Sequence, residues 1–524
     1  MSYALLFLGI AAILPGAQAQ PTAITSGPGS DTEPAWSPDG RRVVFQREQE
    51  GNVELFLLDA ANGAVSPLVT GRGVATFPAW SPDGRSIVYT YARFDGTAAS
   101  GLENGYNLML VPAEGGTPKR LTSGRWRDYT PTFSPDGQWV YFSSNRGLKR
   151  DGMGLFRVAV QGGEPEPVFV RDGDQIGVLE PTWSPDGRLL ACGYLGGFRA
   201  NWTLRLLRLQ PEVSDLALSE SNHPTYSPAW RPDGKVLACT GFRTGDPGWG
   251  IYLVEVATGA GSRIDTGPGN SRSPVWSPDG RELIFENNRT GVYKLYRMQV
   301  PAVTFTVASR SRAVPPKPVV KLDFSRLEGP SAPDLSGQGN AATVTGPIDV
   351  AEGGLLCGPG HSVAVSQPSG FDFGVDGFSV QATVRVDQHI NKLQMIAVGD
   401  YPDNHYGWQL YLNDTNSVCF NSRTPDMIYV GATSDVPLPV GRKVTLTGVR
   451  RPGGGVQLYV DGVPQGSTGT GATIPYPGAL QLRVGTHYNG SAPFVGRIYD
   501  VTVYQGALSP EDLGGPTLEE FLKP

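Results

Sequence analysis

Histidine and cysteine are scarce, with five His and four Cys in 524 residues. No Gly-x-Ser-x-Gly elbow, His-Glu-x-x-His, Cys-x-x-Cys or phosphate-cradling glycine loop before a helix occurs. Those absences remove the serine-hydrolase, zinc-protease, thiol-redox and nucleotide-phosphate chemistries that such signatures carry. Beyond the N-terminal stretch, no run reaches the roughly 18 apolar residues that span a bilayer, so no membrane span is expected. Lys and Arg total 43 against 49 Asp and Glu, a net charge of -6 without a clustered basic face, which argues against a nucleic-acid partner. Long segments of helical periodicity are also missing.

What is abundant is glycine (69) and proline (45), the composition of many short strands joined by tight turns. The chain is too long for one core, so two or three domains are expected. It starts with an apolar run, Ala4 to Leu14, followed by Pro15-Gly16-Ala17-Gln18-Ala19. This reads as a secretory signal cleaved after Ala19, although its n-region has no Lys or Arg. No Cys follows the cut, so no lipid anchor is expected. The expected product is exported, periplasmic or extracellular, and monomeric.

The phrase Trp36-Ser37-Pro38-Asp39-Gly40 recurs at Trp80, Phe133, Trp183, Trp230 (with Arg231 for Ser) and Trp276, at spacings of 44 to 53 residues. A fixed period of that length marks stacked supersecondary units. Pro presets φ at the second turn position, Asp suits the third and Gly takes positive φ at the fourth. The Asp is thus explained by the turn and needs no metal or catalytic role. Short strands follow at Arg42-Gln46, Val53-Leu58 and Ser66-Thr70, giving four per unit, the pattern of a propeller blade. The leading aromatic is expected to wedge between blades. Cys192 and Cys239 fall where other copies have Phe45, Tyr89, Phe142 and Phe285, a core-facing position suited to buried free thiols.

The motif Pro-x-Trp-Ser-Pro-Asp-Gly, with junctions such as Leu121-Thr122-Ser123-Gly124, resembles the repeat of the TolB-like (WD40-like) β-propellers over about 280 residues. The resemblance implies a six-bladed ring. Repeat six supplies three strands, and Ala23-Gly27 is expected to close it, with Val303-Val307 as the competitor. The loops opposite the Asp turns then share one face. Arg146, Tyr129 and Trp249 are candidate ligand residues there, and solvated loop charge is the other reading. Propellers of this type also cap α/β-hydrolase peptidases, a reading that the second domain disfavours. Some propellers are polysaccharide lyases. For a uronate-type lyase the candidates are His223 or Tyr226 as base, with Arg199, Arg243 and Arg272 on the carboxylate.

Residues 309–318 are basic and Pro-rich, a semi-rigid linker. From Val319 the runs alternate, as in half-buried strands. Asp334-x-Ser-Gly-x-Gly-Asn340, Leu458-Tyr459-Val460-Asp461-Gly462 and Gly496-x-Ile498-x-Asp500-Val501 with Ala507-Leu508-Ser509-Pro510-Glu511 resemble laminin-G-like, concanavalin A-like jelly rolls. One departure is Gly441-Arg442-Lys443, where a Trp-x-His is usual. The resemblance implies a structural Ca²⁺ on Asp334 and Asn340, against which stands a turn closed by Asx hydrogen bonds. Two loops suit glycan binding, with Tyr401, Asp403, His405 and Tyr406 on one and His487, Tyr488 and Asn489 on the other. Aromatics stack on sugar rings, and polar groups bond the hydroxyls. Packed hairpin tips are the alternative. A glycosidase would need two carboxylates across one cleft, and only Asp400 and Asp403 stand together. Cys357 and Cys419 are a possible disulfide pair.

The expectation is therefore an all-β chain. It has a signal (1–19), a six-bladed β-propeller (20–308), a linker (309–318), a β-sandwich jelly roll (319–513) and a tail (514–524) containing a short helix. Its expected function is non-catalytic recognition of a glycan, polysaccharide or envelope protein. The alternative is a uronate-type lyase on the propeller loop face.

Overall fold

The computed structural model describes residues 20–93, 105–148, 152–170, 176–196, 202–210, 214–218, 224–243, 245–300, 305, 316–366, 368–371, 373, 377–400, 407–423, 429–451, 455–468, 481–487, 490–509, 511–513 and 521–523. The N-terminal stretch read from the sequence as a secretory signal lies outside them.

The repeats fold as blades. In blade 1, Ser30–Trp36, Arg42–Gln49, Asn52–Asp59 and Val65–Val69 pair in order as an antiparallel sheet. The first strands of blades 2 to 6 are Val74–Trp80, Tyr129–Phe133, Ile176–Trp183, Thr225–Trp230 and Ser271–Trp276, and consecutive first strands adjoin around the whole ring. Blade 6 has three strands of its own. Its fourth is the N-terminal Thr22–Ala23, registered on Arg297 and Tyr296, with the Ile24 amide donating to the Leu295 carbonyl at 2.9 Å. The N-terminal segment thus closes the ring, as its sequence suggested. Of the competing strand, Phe305 alone is described, packed beside the core of blades 5 and 6.

The turn motif builds the opposite face. Ser37 Oγ donates to Asp39 Oδ1 at 2.6 Å and accepts from the Arg42 amide at 2.9 Å, and copies at Ser81, Ser134, Ser184 and Ser277 repeat this. Gly40 has φ +71°, and a Cβ there would lie 3.6 Å from Pro278, so the turn of blade 1 abuts that of blade 6. The leading aromatics lie between blades: Trp80 Nε1 donates to the Ala35 carbonyl and Trp230 Nε1 to that of Thr182.

The second domain has two sheets. One runs Lys317–Asp323, Gly496–Gln505, Phe378–Val386, Lys443–Arg450, Val456–Val460, Val463–Thr468 in spatial order. The other, of eight strands, runs from Ser331–Ala332 to Tyr429–Pro437. The first strand begins at Lys317, two residues before the expected boundary. Asp461 and Gly462 both have positive φ (50° and 75°), the requirement of a two-residue type I′ hairpin. All four cysteines are buried free thiols, and Cys357 and Cys419 sit on different sheets, so the disulfide pairing is overturned. Of the tail, Phe521–Leu522 is helical, with Phe521 buried against blades 4 and 5. No helix among the described residues is long and apolar enough to cross a membrane.

Candidate functional site

In every blade the residue before the motif proline has positive φ: Glu33 (49°), Phe77 (51°), Thr130 (48°), Glu180 (54°), Ser227 (51°) and Ser273 (49°). A non-glycine residue there, directly before proline, is strained by on the order of 1–3 kcal/mol. Each sits at a bulge in the first strand, where the pairing register shifts. These six positions ring the channel.

The bulge turns each amide toward the preceding blade, and a side chain seven residues after the motif Asp meets it. Gln46 Oε1 accepts from the Phe77 amide at 3.2 Å, Thr240 Oγ1 from Ser273 at 3.0 Å, and Glu286 Oε1 from Glu33 at 2.8 Å. Between blades 3 and 4 the relay is longer. The Ser143 hydroxyl bonds the Thr130 hydroxyl, which accepts the Glu180 amide at 3.1 Å. In blade 4 this position is Gly193, which has no side chain to offer; a Cβ there would lie 3.2 Å from Tyr226 Cβ.

Blades 4, 5, 6 and 1 make an acidic side. Burial pushes Glu33 well above the usual carboxylate range, and the charges of Glu286 and Glu180 add to it. Burial likewise raises Glu180 and Glu286. Glu286 is fully buried and bonded by Arg272 Nε at 2.6 Å, and the Arg272 guanidinium lies 3.9 Å over the Tyr293 ring. Burial, with Glu180 nearby, pushes the Tyr226 phenol up to about 12. Residues of four blades sense one another's charge here, so they face a common space. Blades 2 and 3 form the aromatic side, where Tyr129 packs against Phe77 (6.2 Å) and Tyr106 (4.8 Å).

Of the sequence-predicted residues, Tyr129, Tyr226 and Arg272 share one repeat position, two before the motif proline. Trp249 packs edge-on to Tyr226 at 5.3 Å. Arg243 instead stacks over Tyr252, 4.7 Å away. Arg146 forks onto buried Asp128 (2.6 and 3.1 Å), holding blade 3 together. His223, Arg199, Tyr401, Asp403, His405, Tyr406, Tyr488 and Asn489 lie outside the described residues. His487 closes a turn, its amide donating to the Ser491 carbonyl and its own carbonyl accepting from Gly490. The Asp334 carboxylate accepts the amides of Lys321, Ser336 and Asn340, while Asn340 bonds Val319 and Ser369. Their oxygens are taken up by the turn, which does not fit a Ca²⁺ ligand set. Among the described residues no three His, Cys, Asp or Glu group to hold a metal. Glu33, Glu180 and Glu286 were not among the candidate residues read from the sequence. The signals were the residue before each motif proline and the seventh after each Asp.

A family profile described as the TolB beta propeller domain matches residues 16–100 and 166–324, and one described as the concanavalin A-like lectin/glucanases superfamily matches 359–514. An "uncharacterized peptidase", YuxL of Bacillus subtilis, is 30% identical over 149 residues, covering 23% of either chain. An uncharacterized protein of Agrobacterium fabrum, Atu1656, is 35% identical over 63 residues, 12% of this chain and 20% of that protein. The chain thus spans less than a quarter of the length of these curated relatives. Among solved structures, TolB from Acinetobacter baumannii aligns at 21% identity and TM-score 0.41 over 49% of this chain and 60% of that one. An oligogalacturonate lyase from Vibrio parahaemolyticus aligns at 16% identity and TM-score 0.38 over 53% and 80%.

Proposed function

This chain joins a TolB-like six-bladed β-propeller to a laminin-G-like, concanavalin A-like jelly roll, and on that premise we propose that it is an exported, non-catalytic recognition protein. Its ligand is a glycan or an envelope component taken at the propeller's channel mouth, with the jelly roll as a second platform. The observation that carries this reading is the pairing of Arg272 with buried Glu286. A uronate lyase needs a free cation for the substrate carboxylate and a base near neutral pH. Here Arg272 is already paired with Glu286, Glu33 and Glu180 add no positive charge, and the Tyr226 phenol is held protonated by burial. The arrangement supplies acceptors, neutral donors and aromatic faces, which suits holding a ligand over breaking it.

The test is incubation of the full chain with uronate oligosaccharides, followed by absorbance of the unsaturated product, alongside a glycan array. The expected outcome is retention of a glycan with no unsaturated product. Product formation abolished by Tyr226→Phe would establish the lyase instead.

A further inference from the structure

We propose that the seam between blades 4 and 5 is a docking slot for the chain's own Phe521–Lys523 segment, and that this contact is a latch fastening the jelly roll to the turn face of the propeller. The latch lies away from the channel mouth and does not depend on what the mouth binds.

The slot starts from a small side chain. Six residues after the motif Asp, blades 1, 2, 3 and 6 have Phe45, Tyr89, Phe142 and Phe285, and blades 4 and 5 have Cys192 and Cys239. Each of the four aromatics is buried in the seam with the preceding blade. In the seam between blades 3 and 4, Phe169 and Tyr194 accompany Cys192. The seam between blades 4 and 5, which holds Cys239, takes an aromatic from outside the ring. Phe521 is buried in it at 5% exposure, and Leu522 packs alongside.

Polar contacts hold the backbone of the same segment. Arg208 ends the third strand of blade 4, Trp202–Arg208. Its Nη2 donates to the Phe521 carbonyl and, at 2.8 Å, to that of Lys523, and its guanidinium lies 5.1 Å from the Phe521 ring centroid. Arg188, two residues after the motif Asp of that blade, donates to the Leu522 carbonyl at 3.3 Å. Three successive carbonyls are therefore taken up by two guanidiniums beside one buried aromatic. A helix end leaves such carbonyls without intrahelical partners, and the multi-donor guanidinium suits them. An aromatic anchor sunk in a desolvated pocket is where binding energy concentrates. The position of Arg188 sets the slot on the turn face, opposite the bulges that ring the channel.

The consequence is a second attachment between the domains. Leu513 packs against the jelly roll beside Tyr459 and Leu508, and Phe521 follows eight positions later on the propeller. Eight residues reach at most about 28 Å, whereas the 17 positions from Val300 to Lys317 reach about 60 Å. With the latch closed, the shorter tether sets how far the jelly roll can move from the ring. With it open, the linker alone does.

The experiment is small-angle scattering of the full chain, parent against Phe521→Ala and Arg208→Ala, with calorimetric titration of a synthetic peptide of residues 514–524. Both variants should broaden the distance distribution and lengthen the maximum dimension, Phe521→Ala by about 10 Å or more. The peptide should bind the Phe521→Ala chain at least about tenfold tighter than the parent, whose slot is already filled. A peptide with Ala in place of Phe521 should bind neither. Glu166→Gln, at an exposed pair with Arg157, should leave the scattering unchanged. Melting curves establish that each variant is folded. If Phe521→Ala unfolds the propeller, Arg208→Ala decides, since it keeps the ring and removes the carbonyl contacts. An unchanged distance distribution in a folded variant overturns the latch. Equal peptide affinity for parent and Phe521→Ala overturns the slot. A parent dimer that Phe521→Ala dissociates would make a second copy's segment the occupant and overturn the intramolecular assignment.

Discussion

In the jelly roll, buried apolar side chains from Val319 to Val503 form one continuous cluster between the two sheets. In the propeller they divide into six clusters, each between two neighbouring blades, such as Val44, Leu55, Trp80 and Tyr89 between blades 1 and 2. The geometric centre of the jelly roll is therefore its core, and the centre of the propeller is not. No packing requirement obliges the propeller's axis to be apolar. That freedom lets it carry Glu33, Glu180 and Glu286 at a depth where a sandwich would tolerate none without partners.

The largest effect expected from breaking this contrast is at Trp408. It is buried against Phe378, and Gly399 has no room for a Cβ against its ring. Trp408→Ala should cost about 3–5 kcal/mol. In calorimetry the jelly-roll transition should fall or vanish while the propeller's remains. Phe142→Ala in the core of blades 2 and 3 opens a comparable cavity, but hydrogen exchange should accelerate there and leave blades 5 and 6 protected. Next comes Asp31→Asn at the ring closure. Asp31 is buried, bonded to Arg47 of its own blade and to Lys294 of blade 6. Removing its charge strands two cations, at a cost of about 3 kcal/mol, read as a lower urea midpoint with the jelly roll unaffected.

The contrast also explains how much could be read beforehand. The ring was legible because its determinants are local and repeated. Pro-Asp-Gly sets a turn wherever it stands, and Thr25-Ser26-Gly27 resembled the closing segments of the other repeats. The jelly roll was legible through the Asp461-Gly462 hairpin and its alternating strands. The site was less so. Tyr129, Tyr226 and Arg272 were chosen as junction residues without the knowledge that they share one repeat position. Glu286 lies on a second strand and reads as an ordinary strand residue; only the ring brings it beside Glu33, 253 positions away. Arg146 and Arg243 looked like free loop cations, because their partners, Asp128 and Tyr252, face them only in three dimensions.

A smaller effect should separate the domains by pH. Burial raises the carboxyls of Glu33 and Glu180 in the folded state, so the fold favours their neutral forms. Their contribution is complete below the unfolded value of about 4.3 and is lost as pH rises through the folded values. Glu180→Gln removes the loss. Its propeller Tm should match the parent's at pH 4 and exceed it by about 2–4 °C at pH 8, with the jelly-roll transition unmoved at either pH. A parent Tm that stays level over that range would show the carboxyls to be hydrated and ionised.

The smallest effect belongs to the motif itself and runs with the opposite sign. The Ser134 hydroxyl bonds Asp136 and accepts the Trp139 amide at 2.9 Å. That bond, and the Gln138 amide after it, hold the exposed Asp136 carboxyl below its ordinary value. A lowered carboxyl stabilises above its unfolded value of about 3.9 and loses that contribution as pH falls through the folded value. Ser134→Ala should cost about 1 kcal/mol at pH 7, shrinking toward pH 2, and should move the Asp136 carboxyl upward in an NMR titration. Blade 5 is the built-in control. Arg231 stands in for the serine there and pairs with Asp233 in solvent, so Arg231→Ala should cost less than about 1 kcal/mol and fade in high salt. A Ser134→Ala loss that faded equally in salt would mean that the turn is held by charge, and that the serine's hydroxyl is not what fixes it.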